Sequence, residues 1–123
     1  MTEANQALVG DLIGALWAGD VSAADAHPGF WPMAHTFGVV RAGFPDLSAT
    51  VTRQIEEGDT VVTVIELTGT QTGPFLGAEP TGQRVSWTLV YVDEVRDGKV
   101  VEHTSGDGWM DCLMQIGALP PPG

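Results

Sequence analysis

The spacing of apolar residues divides the chain into two regimes. Between residues 3 and 18, Leu8, Leu12, Ala15 and Leu16 recur at the interval that gathers side chains on one face of an α-helix. Thr2 is placed to cap that helix and Gly19 to end it. "GDVSAADAHPG" reads as a connector with room for one helical turn. Pro28 then opens a second helix through "FWPMAHTFGVVRAGF". Pro32 must lie in its first turn, because proline has no N–H to give a helix interior. Gly43 and Pro45 stop it.

From residue 48 the period drops to two. "SATVTRQIEE" alternates and is rich in Thr and Val, which predicts a strand. Gly58 and Asp59 turn the chain into a longer strand, "TVVTVIELTGTQ", β-branched on both faces and therefore central in its sheet. "TGPFLGAEPTGQ" is a loop, "RVSWTLVYVDEV" a third strand, "RDGK" a tight Asp-Gly turn and "VVEHTSGD" a fourth strand. "GWMDCLMQIG" closes as a short helix before the tail "ALPPPG". Helices first and then an antiparallel meander give an α+β fold in one domain over 1–123, the helices packed on one face of a curved sheet. A sheet curled in this way leaves a conical cavity open at one end, a common ligand site.

Composition narrows the function. Five Lys and Arg face 16 Asp and Glu, for a net charge of -11. Nucleic acid and anionic membrane surfaces are disfavoured partners for such a chain. No apolar run approaches the length of a membrane span, and the first 20 residues lack the basic start of a signal peptide, so a soluble, cytoplasmic protein is expected. Cys112 is the single cysteine and lies among apolar neighbours at helical spacing, so it reads as a buried small residue rather than a nucleophile.

Several segments together resemble the SnoaL-like polyketide cyclases of the nuclear transport factor 2-like superfamily. They are "FPDL" at 44–47, "GD" at 58–59, "GTQTGPFLGAEPTGQRV" at 69–85, "DGKVVEH" at 97–103 and "QIG" at 115–117. The resemblance spans residues 44–119 and implies a cone-shaped α+β barrel, a homodimer through the open sheet, and no metal or organic cofactor. It further implies intramolecular aldol ring closure of a hydrophobic polyketide-type substrate. One Asp near the start of the last helix acts as general acid/base, a role suited to a carboxylate in an apolar pocket.

The chain departs from the family pattern twice. The stretch between Gly19-Asp20 and the second helix is much shorter than the family's, which leaves one wall of the cone in question. The family commonly reads Glu-His-Trp, three residues, then the catalytic Asp. Here a gapless comparison puts Gly108 at that position and Asp107 one residue early. A slip of one residue flips a strand side chain to the other face, unless a bulge, which Gly106 and Gly108 would permit, restores it.

The site candidates follow. Asp107 is either the acid/base or the N-cap of the last helix. Asp111 is the reserve acid, or a first-turn carboxylate favoured by the helix dipole. His103 either orients that acid and binds a carbonyl, or packs outside. Glu66 lies mid-strand, facing either the pocket or the solvent. Trp87 and Tyr91 share one strand face and would line a pocket for flat ligands, with Trp109 at its mouth and His35 on the helical side. Trp31, Met33 and Phe37 read as core or lid. His27, His35 and His103 could be imagined as a metal set, but the spacing of the first two is not that of a helical ligand pair. No Arg lies between acids on a readable inward face, as an epoxide-hydrolase set would need. The alternative to an enzyme is a non-catalytic binder of hydrophobic ligands.

Overall fold

A computed structural model describes residues 2–119. Helix α1 (Thr2–Trp17) buries Val9, Leu12, Ile13, Leu16 and Trp17. Leu8 and Ala15 flank that stripe half-buried. The Thr2 side chain, expected as its cap, lies outside the described residues. At the other end, Gly19 adopts φ +105°, and Arg41 Nη1 donates to the Trp17 carbonyl at 2.8 Å. That bond satisfies one of the carbonyls a helix end leaves free.

The expected second helix is divided. Residues Pro28–Met33 form a 3-10 turn, and α2 proper runs Ala34–Gly43. Pro32 sits inside the 3-10 segment, where its missing N–H does not interrupt an α-helical ladder. A further 3-10 turn, Val21–Ala24, occupies the connector.

Four strands follow, β1 (Ser48–Glu57), β2 (Thr60–Thr70), β3 (Arg84–Arg96) and β4 (Lys99–Gly106), antiparallel in the order β1-β2-β3-β4. The sheet curves without closing, and α3 (Trp109–Gln115) ends the described fold. Residues 120–123 of the expected tail lie outside the described residues. The inner face of β3 reads Val85, Trp87, Leu89, Tyr91, Asp93 and Val95, all buried, with exposed residues between most of them.

Parts of the segments that carried the family resemblance are scaffold. Phe44 packs its ring 5.2 Å from both Phe75 and Trp87, and Asp46 accepts the Thr70 N–H at 2.7 Å. Gln71 is fully buried and pins the long loop: its Nε2 donates to the Glu79 carbonyl at 3.1 Å, and its Oε1 accepts from the Thr81 hydroxyl at 2.8 Å. Gly73 lies so close to the Ala42 carbonyl that no Cβ would fit.

The short N-terminal half does not leave the side over β4 uncovered. The 3-10 turn Pro28–Met33 lies across β4, with Gly29 so near the Glu102 backbone that a Cβ would sit 2.8 Å from its nitrogen. His27 Nδ1 accepts the Val100 N–H at 3.0 Å and fastens the turn to the strand. Phe30 is thereby fully buried. Trp31, expected in the core or lid, is instead 60% exposed, with its indole N–H donating to the Ala24 carbonyl at 3.0 Å. Phe37 is buried and Met33 half-buried.

Candidate active site

The direction of His103 and, just past the strand, of Asp107 depends on one extra residue in β4. Glu94 pairs with Glu102 but Val95 pairs with Val100, so Val101 is unmatched and forms a bulge. A bulge changes which parity faces inward. Val100 points into the core before it, and His103, Ser105 and Asp107 take the more buried positions after it, alternating with exposed Glu102, Thr104 and Gly106. The bulge therefore lies at Val101 and not at Gly106 or Gly108, which would have permitted one.

Directly across the ladder from His103 stands Asp93. His103 Nδ1 lies 2.5 Å from Asp93 Oδ1, with the two side chains 4% and 0% exposed. Phe30 stacks on the imidazole at 4.1 Å, and the Tyr91 ring meets its edge at 4.4 Å. Burial pushes the Asp93 carboxyl above its ordinary range, while the hydrogen bond and charge of His103 oppose the rise. His103 Nε2, the Tyr91 hydroxyl and Asp93 Oδ2 are buried without a hydrogen-bond partner among the described residues. The Trp17 indole N–H lies toward the Tyr91 hydroxyl, but neither completes a hydrogen bond. Buried polar groups are nearly always satisfied, so these three atoms have bonding capacity left for a ligand or solvent.

Asp107 lies outside this cluster, near enough for its charge to act on the Tyr91 hydroxyl. It lines a cavity of about 270 Å³ together with Thr36, Val39, Phe75, Leu76 and Trp109. Burial drives the Tyr91 hydroxyl well above its usual pKa, and the nearby Asp107 charge adds to the rise, with Asp93 contributing less. The phenol therefore stays protonated and can donate. Asp107 is not the N-cap of α3; that position belongs to Gly108, at φ +65°. A Cβ on Gly108 would overlap the Thr88 carbonyl oxygen and sit 3.1 Å from Trp87 Cδ1. The backbone here must pass tight against β3, which only glycine allows. No side chain can occupy position 108, and the carboxylate is presented one residue earlier.

The remaining candidates disperse. Trp87 is buried in the core against Phe44 rather than on the cavity wall. Trp109 does line the mouth, its ring 5.5 Å from Phe75. Glu66 is exposed on the outer sheet face, because β2 turns Ile65 and Leu67 inward instead. His35 is exposed on α2, and its neighbour Thr36 faces the cavity in its place. Asp111 is exposed in the first turn of α3. These three are accordingly left out of the site. His27 is occupied by Val100. Cys112 is fully buried, and burial pushes its thiol up to about 12.

Asp93 went unnoticed in the sequence. Its signal was its parity: it falls in the same alternation as Val85, Trp87, Leu89 and Tyr91, a charge in a register otherwise apolar or aromatic. A carboxylate at such a position needs a partner.

The profile of the SnoaL-like polyketide cyclases matches residues 4–116. The chain belongs to this family. It is 32% identical over 92 residues, 74% of its length and 69% of the relative's, to nogalonic acid methyl ester cyclase of Streptomyces nogalater. Among solved structures it resembles AclR of Streptomyces galilaeus, a proposed hydroxylase, with TM-score 0.86 and 32% identity over 100% of this chain and 86% of that one. TsrD of Streptomyces laurentii gives TM-score 0.84 and 26% identity over 97% and 98% of the two chains. The family and its nuclear transport factor 2-like fold thus agree with the resemblance in the sequence. They support a cyclase-type enzyme of polyketide biosynthesis acting on a hydrophobic small molecule, and do not favour a purely binding role. No helix of the described residues is long and apolar enough to cross a membrane.

Proposed function

We propose that this SnoaL-like chain closes a ring of a polyketide-type substrate by intramolecular aldol chemistry, without a cofactor, using Asp107 as general acid/base. The observations that support the reading are the half-buried Asp107 carboxylate on the wall of a mainly apolar cavity, its charge felt at the buried Tyr91 hydroxyl, and the lack of a partner for that hydroxyl and for the neighbouring His103 Nε2 among the described residues. The Asp107 carboxylate takes a proton from a carbon flanked by carbonyls. Charge then moves to the enolate oxygen, toward Tyr91 O–H and His103 Nε2. Burial favours a pair of zero net charge over an isolated anion. In that state Nε2 carries a proton, whichever of Asp93 and His103 holds the shared one. Both groups are then donors to the oxyanion. The enolate carbon attacks a second carbonyl of the same chain, and the new alkoxide recovers the proton from Asp107. The apolar walls hold the chain folded for that attack.

The test is turnover of nogalonic acid methyl ester, the compound class in the relative's name. Asp107→Asn should lower the rate by about 10²–10⁴-fold, the usual contribution of a general acid/base. Retention of more than about a tenth of the rate would leave the pocket as a folding template and refute proton transfer by Asp107.

The likeness to AclR supports a second reading, in which an external two-electron oxidant transfers one oxygen atom to the same enolate carbon and is itself reduced. Product mass separates the two. Ring closure leaves the mass unchanged or loses water, and hydroxylation adds one oxygen. A homodimer through the open sheet is supported by Ile55, Val90 and Val92, which stand 37–48% exposed on its outer face; light scattering of the purified chain tests it. The lone buried cysteine supports a cytoplasmic setting.

A further inference from the structure

Leu76 violates two expectations at once. Its φ is +48°, in the left-handed region that costs any side chain with a Cβ. Its side chain is 55% exposed, so burial does not offset that cost. The turn is tight: Phe75 and Ala78 exchange both backbone hydrogen bonds, at 3.0 and 2.8 Å, and Gly77 follows at φ +83°. Two consecutive positive φ values in a two-residue turn call for Asn-Gly or Gly-Gly, and here the first position holds leucine.

The turn is also rigidly mounted. Phe75 is buried beside it, packed on Phe44 and Trp109. Gln71 holds the other side through Ala78, Glu79 and Thr81. The direction of the Leu76 side chain is therefore set by the scaffold. It borders two cavities. One is the 270 Å³ space that holds Asp107 and Trp109. The other, of about 360 Å³, lies outside it between Glu79, Thr81, Ile116 and Ala118.

We propose that Leu76 is a specificity-determining residue. It closes over the flat apolar part of a ligand seated beside Asp107 and separates it from an outer subsite that takes the ligand's polar substituent. The Glu79 carboxylate gives that outer space a charged acceptor, whereas the inner cavity is walled mainly by Val39, Phe75 and Trp109. The strain in the turn is retained because the leucine is used in the complex, not in the free fold. This inference rests on the Asp107 cavity being the substrate site.

The experiment measures the affinity of 1,4-dihydroxyanthraquinone, a flat uncharged probe, by quenching of tryptophan fluorescence, alongside thermal melting. Leu76→Asn fits the left-handed turn without the entropy of glycine, so its Tm should equal or exceed the parent's, by up to about 6 °C. Its affinity should fall about tenfold, the loss of one buried leucine contact. Leu76→Met should bind within about threefold of the parent, because methionine preserves the volume. A lower Tm in Leu76→Asn would overturn the proposal by making the leucine structural. Unchanged affinity in Leu76→Asn, with weakened binding in a Trp109→Ala control, would overturn it while leaving the cavity as the site. Binding insensitive to both changes would remove the site reading as well.

Discussion

His103 and Asp93 are a directly opposed cross-strand pair, joined through Nδ1 and Oδ1 at 2.5 Å and sealed from solvent. On the proposed mechanism Asp93 is a positioning residue. It fixes one imidazole nitrogen so that the other, Nε2, is left for a ligand. Partners of this kind orient a functional histidine and set its tautomer.

Asp93→Asn should therefore cut kcat about 10–100-fold with little change in KM. The same variant has a stability signature. The Asp93 carboxyl is held above its ordinary 3.8 in the fold, chiefly by burial, so its contribution to stability is full below that pH and is lost as pH rises above it. Asn does not titrate. Melting curves should show the parent losing stability over this rise relative to Asp93→Asn; parallel curves would mean the carboxyl is not perturbed.

Tyr91→Phe separates function from folding. The hydroxyl is buried without a partner, and removing such a group is neutral or stabilising. Tm should stay or rise, while turnover falls by about 10–100-fold through loss of an oxyanion donor. A drop in Tm with unchanged turnover would give the hydroxyl a structural role instead.

Restoring the family's spacing should fail here. Gly108→Asp combined with Asp107→Gly moves the acid to the family position, but a side chain at φ +65° must displace the Thr88 carbonyl. The strain alone costs about 1–2 kcal/mol, and the overlap adds to it. We expect a Tm lower by at least about 5 °C and no recovery of turnover relative to Asp107→Gly alone. An active, stable double variant would show that the turn is less confined than its geometry.

His27 predicts an acid limit. Burial, and secondarily the Lys99 charge, hold its pKa below the ordinary 6.5. The unfolded chain then takes up the proton first, and stability is lost as pH falls below 6.5. His27→Asn keeps an acceptor for the Val100 N–H and does not titrate. Its melting temperature should fall less than the parent's over that range, as followed by circular dichroism.

Period-two alternation placed all four strands within a residue or so, because one face of each inner strand must be apolar. The family motif was legible because "GTQTGPFLGAEPTGQRV" encodes a partly local construction, with Gln71 meeting Glu79 and Thr81 across one turn, while Gly73 packs on the distant Ala42 carbonyl. The division of the second helix at Met33 was less legible, since Pro32 is compatible with either helix type at its start.

What the sequence by itself determined is the order of elements, the inward set of β3 and the identity of the chemical groups. Even Asp93 was readable there, by its place in the alternation. Only the tertiary structure decided which groups face one another. The parity of His103 and Asp107 hangs on Val101, and whether a residue bulges depends on how β4 registers against Glu94 and Val95. The exclusion of any side chain at position 108 comes from the Thr88 carbonyl, twenty residues away in the chain. Register and close backbone approach are properties of paired strands, and neither strand carries them alone.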